Sequence, residues 1–361
     1  MLEALICDLE AGRALTTDQV SAAVIALVND AVLAETKAGF LTALAAKGET
    51  PEEIAAFARQ LHGLSIAPVL DDATRAGVIL DVCGTGGDRL QTFNISTTVA
   101  LVLAAAGVAV AKHGNRAITS RCGSADVLEE LGVRIDLDPT EAGRWLREHR
   151  FAFFFAPRYH PAFRQIAPAR KLCAERGQRT IFNFLGPLLN PARPTAQLIG
   201  VPRPELCEPI GRVLQSIGVR RGMVVSGSVP VENAAEDGGA VAWLDEMSTM
   251  GETNIAEFYQ ERGFHVSRLS PQDLGLQPVR LQDLAGGDPE TNARIVRQIL
   301  EGHDMGPRRD AVLLNAAAAL LVAGLAGSLT EGWEQAGQII DSGSAHRKLE
   351  ELVAASNPRG E

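Results

Sequence analysis

From residue 1 to about 70, apolar residues recur only at helical spacing. Thr16-Thr17-Asp18-Gln19 has the form of a capping box, and Val20, Ala23, Val24, Leu27 and Val28 then fall on one helical face. Thr50-Pro51-Glu52-Glu53 is a second such start, with proline where the missing N–H does no harm. Ile54, Phe57, Ala58 and Leu61 form its apolar stripe. No strand pattern interrupts this region, which predicts a small helical domain or an oligomerisation surface.

After Pro68 the texture changes. Short apolar runs at 78–83, 108–111, 151–156, 197–201 and 223–226 read as buried strands. Between them 99–106, 125–131, 140–148 and 204–217 read as helices. This alternation predicts an α/β fold, with a largely parallel sheet and helices on its faces. The expected division is 1–70 helical and 71–361 α/β. Residues 227–242 look like an irregular excursion or a short hairpin, and 353–361 are expected to fray. The apolar stretch from Ala311 to Leu325, with Asn315 inside it, is too short to span a bilayer and reads as a buried helix.

Composition narrows the function classes. Hydrophobic residues are 46% and charged residues 22% of the 361, the balance of an ordinary globular protein. A net charge of −10 argues against nucleic acid as a partner, and no segment suggests a membrane. The five cysteines form no CxxC pair, so a disulfide framework or structural zinc is not expected and a reducing, cytoplasmic setting is. An anionic substrate would have to be held by a local basic cluster, for which Lys112, Arg116 and Arg121 are candidates.

Two loops carry the candidate chemistry. Gly84-Thr85-Gly86-Gly87-Asp88 follows one strand and leads through Thr92 to Asn94-Ile95-Ser96-Thr97 at a helix start. Lys112-His113-Gly114-Asn115-Arg116 follows the next strand and leads through Ser120 to Ser124. A glycine-rich turn between strand and helix exposes backbone N–H groups and the positive end of the helix dipole, which together bind phosphate. The first loop lacks both the GxGxxG spacing of a dinucleotide site and the Gly-Lys-Ser/Thr of a Walker loop. Two loops suit a substrate with phosphates at separate places, such as a phosphoribosyl pyrophosphate. Each motif also has a plainer reading. The first loop could be a simple turn, Asn94 to Thr97 simple caps, and the second loop a solvated turn. Arg170 alone suits a surface salt bridge as well as a carboxylate contact, and Asp245-Glu246 alone suits an acidic helix start better than a magnesium pair.

Taken together, these motifs resemble the anthranilate phosphoribosyltransferase family over essentially the whole chain. Gly-Thr-Gly-Gly-Asp, Asn-Ile-Ser-Thr, Lys-His-Gly-Asn-Arg and Gly-Ser-Ala-Asp occur in family order. His160-Pro161-Ala162, Arg179 to Pro187, Leu244-Asp245-Glu246 and the Leu313-Leu314-Asn315 run follow. The resemblance implies a fold shared with pyrimidine nucleoside phosphorylases, a homodimer formed through the helical domain, and a possible anthranilate synthase subunit as partner. It implies that Gly84, Gly87, Asp88, Thr92, Asn94, Ser96, Thr97, Lys112, His113, Gly114, Asn115, Arg116, Ala117, Ile118, Thr119, Ser120 and Ser124 meet 5-phosphoribosyl 1-pyrophosphate. Gly84, Asn115 and Arg170 would meet anthranilate, and Ser96, Asp245 and Glu246 would hold Mg2+.

The implied reaction joins the anthranilate amine to ribose C1 and expels pyrophosphate. No covalent nucleophile is expected. Two departures from the family pattern are Ser226-Gly227, where histidine-glycine is common, and Cys122, where serine is usual; the connection from Gly227 to Asp245 is also long. A pyrimidine nucleoside phosphorylase would leave Asp245-Glu246 without a role, and a non-catalytic nucleic-acid-binding relative should carry a basic groove, against a pI near 5.3.

Overall fold

The computed structural model describes residues 1–117, 121–231, 241–260, 262–277 and 279–357. Four helices lead: α1 (Leu2–Glu10), α2 (Thr17–Val28), α3 (Ala34–Lys47) and α4 (Pro51–Gly63). Both expected capping boxes form, Thr16 with Gln19 and Thr50 with Glu53. Glu53 is buried by more than capping. It also accepts from the Leu15 amide at 2.8 Å and pairs with Lys47 at 2.6 Å.

A short helix, α5 (Asp72–Ala76), then opens the α/β region. Its parallel strands are β1 (Ile79–Gly84), β2 (Ala109–Gly114), β3 (Phe151–Phe155), β4 (Ala196–Gly200) and β5 (Arg221–Pro230). The strands β6 (Val241–Leu244), β7 (Thr253–Tyr259) and β8 (Gly263–Leu269) complete the sheet. The spatial order is β3-β2-β1-β4-β5-β7-β8, with β6 paired to the far end of β5. β7, β8 and the β5–β6 hairpin are antiparallel. The excursion after Gly227 is therefore a hairpin, with Gly227 opposite Leu244; residues 232–240 lie outside the described residues.

Side-chain alternation splits β5 between two cores. Met223 and Val225 face one, with α6 (Ile95–Ala105), α14 (Pro307–Ala323) and α16 (Ser344–Ser356). Val224 faces the other, with α1 to α4. That second core also takes in Ile166, Ala169, Cys173 and Leu185, from α10 (Ala167–Glu175) and α11 (Phe182–Leu188). Two hydrogen bonds tie this later segment to α3: Lys37 Nζ to the Gln165 carbonyl at 2.9 Å, and Thr42 to Gln178 at 2.9 Å. The helical layer is thus built from separate stretches of chain. The expected apolar helix near 311–325 is α14, with Asn315 fully buried. The C-terminus does not fray from 353 as expected, because α16 runs to Ser356 with Leu349 and Leu352 in the core. Among the described residues no helix is long and apolar enough to cross a membrane.

Candidate active site

From β1 the chain builds outward through β2 to β3, while β4 and β5 lie on the other side of β1. The order reverses between β1 and β4, and open α/β sheets bind ligands at the carboxyl edge of such a point. Gly84 ends β1 and pairs with Gly200, which ends β4. The segment after β6 lies across both. A Cβ on Gly84 would strike the Asp245 carboxylate, and one on Gly200 the Asp245 main chain. Both positions therefore exclude any side chain. Gly200 has no conspicuous motif around it, and its need for glycine appears only with Asp245 in place.

The first loop wraps this carboxylate. Thr85 N–H donates to the Gly200 carbonyl at 2.9 Å, and Gly86 N–H to Asp245 Oδ2 at 2.6 Å. Gly86 and Gly87 sit at φ 76° and 90°, where glycine alone is unstrained. Asn94 does not cap α6 with its side chain. Instead its Oδ1 accepts from Asn292 Nδ2 at 2.8 Å, and its Nδ2 donates to the Cys122 carbonyl at 3.3 Å. The N-terminus of α6 is left for other partners. Ser96 N–H donates to Glu246 Oε1 at 3.2 Å, and the buried Thr97 hydroxyl has no partner.

Lys112 enters from β2 beneath this helix end. It is 1% exposed, and its Nζ donates to the Val82 carbonyl at 2.8 Å and to Ser96 Oγ at 3.3 Å. Burial lowers its affinity for a proton, while Asp81 and Glu246 raise it. Asp81 lies fully buried behind it, held by Asn190 Nδ2 at 2.9 Å, and burial pushes its carboxyl up to about 6. Burial also pushes Glu246 up to about 7 and Asp245 well above the carboxylate range, the latter reinforced by Asp88 and Glu246. These carboxylates are short of positive charge. Asp245 and Glu246 are in a buried turn, not at a helix start.

The result is a cleft of about 270 Å³ that gathers most of the residues expected from the sequence. Gly84, Gly87, Asp88, Thr92, Asn94, Ser96, Thr97, Lys112, His113, Gly114, Asn115, Ser124, Asp245 and Glu246 all line it. Arg116 does not: its guanidinium pairs with Glu129 and Asp126 on α7 (Ser124–Glu130). Ala117 also lies off the cleft wall, with its amide donating to Asp126 at 2.9 Å. Ile118, Thr119 and Ser120 lie outside the described residues.

A second cavity of about 240 Å³ shares Gly84, His113, Gly114 and Asn115 with the first. Its far wall is Phe163, Arg170, Phe182 and Gly186, with His160 beside His113. Arg170 has its guanidinium carbon 5.2 Å from the Phe182 ring centre and no carboxylate partner among the described residues. The surface salt bridge that a lone arginine suggests does not form. His113 and His160 have ring centres 5.1 Å apart. Burial pulls His113 down to about 3 and His160 to about 4, so both rings are neutral, and each leaves Nε2 without a partner. The His160 motif and the 179–187 run carry no local sign that their side chains share a cavity. The aromatic wall comes from several short elements between His160 and Gly186, and only packing turns their side chains into one cavity.

Comparison with known proteins gives the family. Residues 76–346 match the glycosyl transferase family α/β domain, and residues 4–62 its helical bundle domain. An anthranilate phosphoribosyltransferase of Herpetosiphon aurantiacus is 46% identical over 95% of this chain and 95% of its own. One from Thermomicrobium roseum is 46% identical over 100% and 99%. Among solved structures, the Thermus thermophilus enzyme superposes with a TM-score of 0.84 at 40% identity, over 97% of this chain and 98% of its own. A Saccharomyces cerevisiae enzyme described as in complex with PRPP and Mg gives 0.84 at 27% identity, over 98% and 97%. With helical bundle and α/β domain both matched, and the likeness running the length of the chain, it belongs to the anthranilate phosphoribosyltransferases, pentosyl-transferring enzymes of the glycosyl transferase family.

Proposed function

We propose that the two cavities hold the two substrates of one transfer, the phosphoribosyl donor in the first and anthranilate in the second. The reading rests above all on their shared wall. Gly84 and Asn115 border both, so a ribose anomeric carbon and an aromatic amine could meet there. The donor's phosphates would take the free N–H groups of the 84–88 loop and of α6, the Thr97 hydroxyl, Asn94, Ser124 and the Lys112 charge. Arg116 would have to leave Glu129 to join them.

Three carboxylates, Asp88, Asp245 and Glu246, line a cleft that suits an anion. That combination fits a divalent cation between protein and phosphate. Among the described residues no cluster of three or more His, Cys, Asp or Glu side chains has metal-holding geometry, so the remaining ligands would be Ser96, substrate and water. Bound there, Mg2+ would neutralise charge growing on the departing pyrophosphate.

The rest falls to the chain itself. The pyrophosphate oxygens would be met by preorganised amides in a largely buried cleft, where such dipoles act strongly. Arg170 would fork the anthranilate carboxylate from the aromatic end of its cavity, and Asn115 would orient the ring. An aromatic amine is unprotonated at neutral pH, so the neutral His113 and His160 need not act as strong bases. Attack on C1 as the C–O bond to pyrophosphate breaks passes through an oxocarbenium-like state, as in glycoside cleavage. The nitrogen, positively charged once the C–N bond forms, then loses its extra proton to the departing pyrophosphate or to water.

The helical layer exposes Ile25 at 63% and Leu33 at 70%, which supports a homodimer through that face. Among the described residues Cys7, Cys83, Cys173 and Cys207 are thiols outside any disulfide, which suits a reducing, cytoplasmic setting. Association with an anthranilate synthase subunit stays part of the proposal. Mixing the protein with 5-phosphoribosyl 1-pyrophosphate, Mg2+ and anthranilate should quench anthranilate fluorescence and release pyrophosphate. Persistent fluorescence with a folded protein refutes the reading.

A further inference from the structure

Residues 245–250 form an irregular segment that is buried throughout. Such a segment must find partners for its main-chain groups without helix or sheet. Its ends are fixed by nearby chain. Asp245 lies over Gly84 and Gly200, while Ser248 N–H donates to Thr253 Oγ1 at 2.9 Å and Ser248 Oγ to the Ser228 carbonyl at 2.8 Å. The middle is held from elsewhere. Asn315, in the centre of α14, accepts from Met247 N–H at 2.9 Å and donates to the Met247 carbonyl at 3.1 Å. The same amide nitrogen donates to Ala311 O at 2.9 Å, so the side chain is fully satisfied.

Asn315 is 0% exposed and sits among Val312, Leu314, Ala316 and Ala319. Leucine there would bury more apolar surface but would leave the buried Met247 N–H and carbonyl without their partner. What the amide adds is a two-point grip on the main chain of Met247: on the N–H of the peptide that joins it to Glu246, and on its own carbonyl. With the peptide after Glu246 held from α14, the Glu246 Cα is tethered, and its Oε1 accepts from Ser96 N–H at 3.2 Å. We propose that Asn315 is a positioning residue for the acidic pair: through Met247 it sets the aim of Glu246, and with it the affinity of the cleft for a divalent cation. This rests on the assignment of Asp245 and Glu246 to the metal. Groups that orient ligands from behind typically carry a 10- to 100-fold effect on metal affinity, roughly the size expected here.

The test is Asn315→Leu, isosteric and suited to α14. The Mg2+ concentration for half activity should rise about 10- to 100-fold with the anthranilate KM unchanged. Calorimetric titration of Mg2+ into the donor-bound protein should show the same loss. Hydrogen exchange on the metal-free wild-type protein gives a readout independent of activity and of any variant's folding. The Met247 amide should be protected, and in folded Asn315→Leu it should exchange freely. A wild-type Met247 amide that exchanges as fast as an unbonded one overturns the proposal. So does a folded Asn315→Leu protein with normal Mg2+ response, or one whose two substrates suffer equally. The Asp245→Ala, Glu246→Ala double variant separates the failures. If it keeps the wild-type Mg2+ response, the metal assignment is wrong; if it loses that response while Asn315→Leu does not, only the role of Asn315 falls.

Discussion

The two cavities meet at Gly84 and Asn115 yet are built by opposite means. The donor cleft is walled mainly by glycines, main-chain amides and polar side chains from the loops at the ends of β1 and β2, with Lys112 beneath and Asp245 and Glu246 closing it from after β6. The acceptor cavity shares the ends of β1 and β2 and adds a far wall of rings and one long cation from residues 156–189. The first binds with groups whose positions the backbone dictates. The second binds with side chains whose positions depend on packing between α10, α11 and the sheet. Changes in the first should therefore alter turnover and phosphate handling. Changes in the second should alter acceptor affinity and stability.

The largest effect should come from the carboxylates that close the donor cleft. Asp245→Ala with Glu246→Ala should leave a folded protein with turnover reduced roughly 10²-fold or more, the scale of lost charge stabilisation. Chelation of Mg2+ from the wild-type enzyme should do likewise. Steady-state assays with and without chelator check both, and full activity in either case breaks the donor half of the comparison.

Next comes Arg170→Ala. Losing a charge-assisted contact of about 1.5–3 kcal/mol should weaken anthranilate handling about 10- to 150-fold while the donor KM stays put. Lysine should rescue only in part, for want of the planar fork. Varying each substrate in turn, with a melting curve for folding, decides it. Unchanged anthranilate kinetics would remove Arg170 from the site.

The acceptor side should also be the acid-sensitive side. His113 at about 3, and His160 and His62 at about 4, lie below the ordinary 6.5 because burial disfavours their charged forms. The unfolded chain binds their protons first. Their contribution to stability is thus fully present above pH 6.5 and is lost as pH falls from there towards 4. The slope from each is at most about 1.4 kcal/mol per pH unit. The raised carboxyls of Asp81, Asp245 and Glu246 act in the opposite direction over the same range, so the check is a difference: urea unfolding at pH 7 and pH 5 should show a smaller acid loss in His160→Gln than in the wild type. The same pH dependence in both proteins contradicts a neutral His160.

The smallest effect should be that of Arg116→Ala. Its guanidinium is half-exposed and already paired with Glu129, so stability should fall by no more than about 1 kcal/mol. The donor KM should change little. A large rise in that KM alone would mean that Arg116 swings into the cleft when donor binds, and would add a mobile side chain to the rigid half.

The donor cleft was readable in advance because its chemistry is local. Gly84 to Asp88, Asn94 to Thr97 and Lys112 to Asn115 announce themselves by residue type beside a predicted strand or helix. Local pattern misjudged what Asn94 does, since its side chain serves Asn292 and the Cys122 carbonyl, not the α6 amides. It also missed β7 and β8, whose antiparallel pairing follows no βαβ rhythm. Asp245-Glu246 was ambiguous on its own because two adjacent carboxylates fit many settings. It becomes a site when β6 lays it over Gly84 and Gly200.

By itself the sequence determined the helices of the first 63 residues, the parallel strands, the two phosphate loops and, through the order of its motifs, the family. Periodicity, caps and glycine turns act within a few residues, so they are written where they operate. The resemblance already implied that a helical segment after Arg170 packs back onto the early helices; only the tertiary structure decided which residues of α10 and α11 do so, that Arg170 faces rings with no carboxylate beside it among the described residues, and that Gly200 must lack a side chain. It also decided that Asn315 holds Met247, 68 residues earlier in the chain. Those facts depend on which distant surfaces exclude water together and which buried amides must then be satisfied, and neither condition has a local signature.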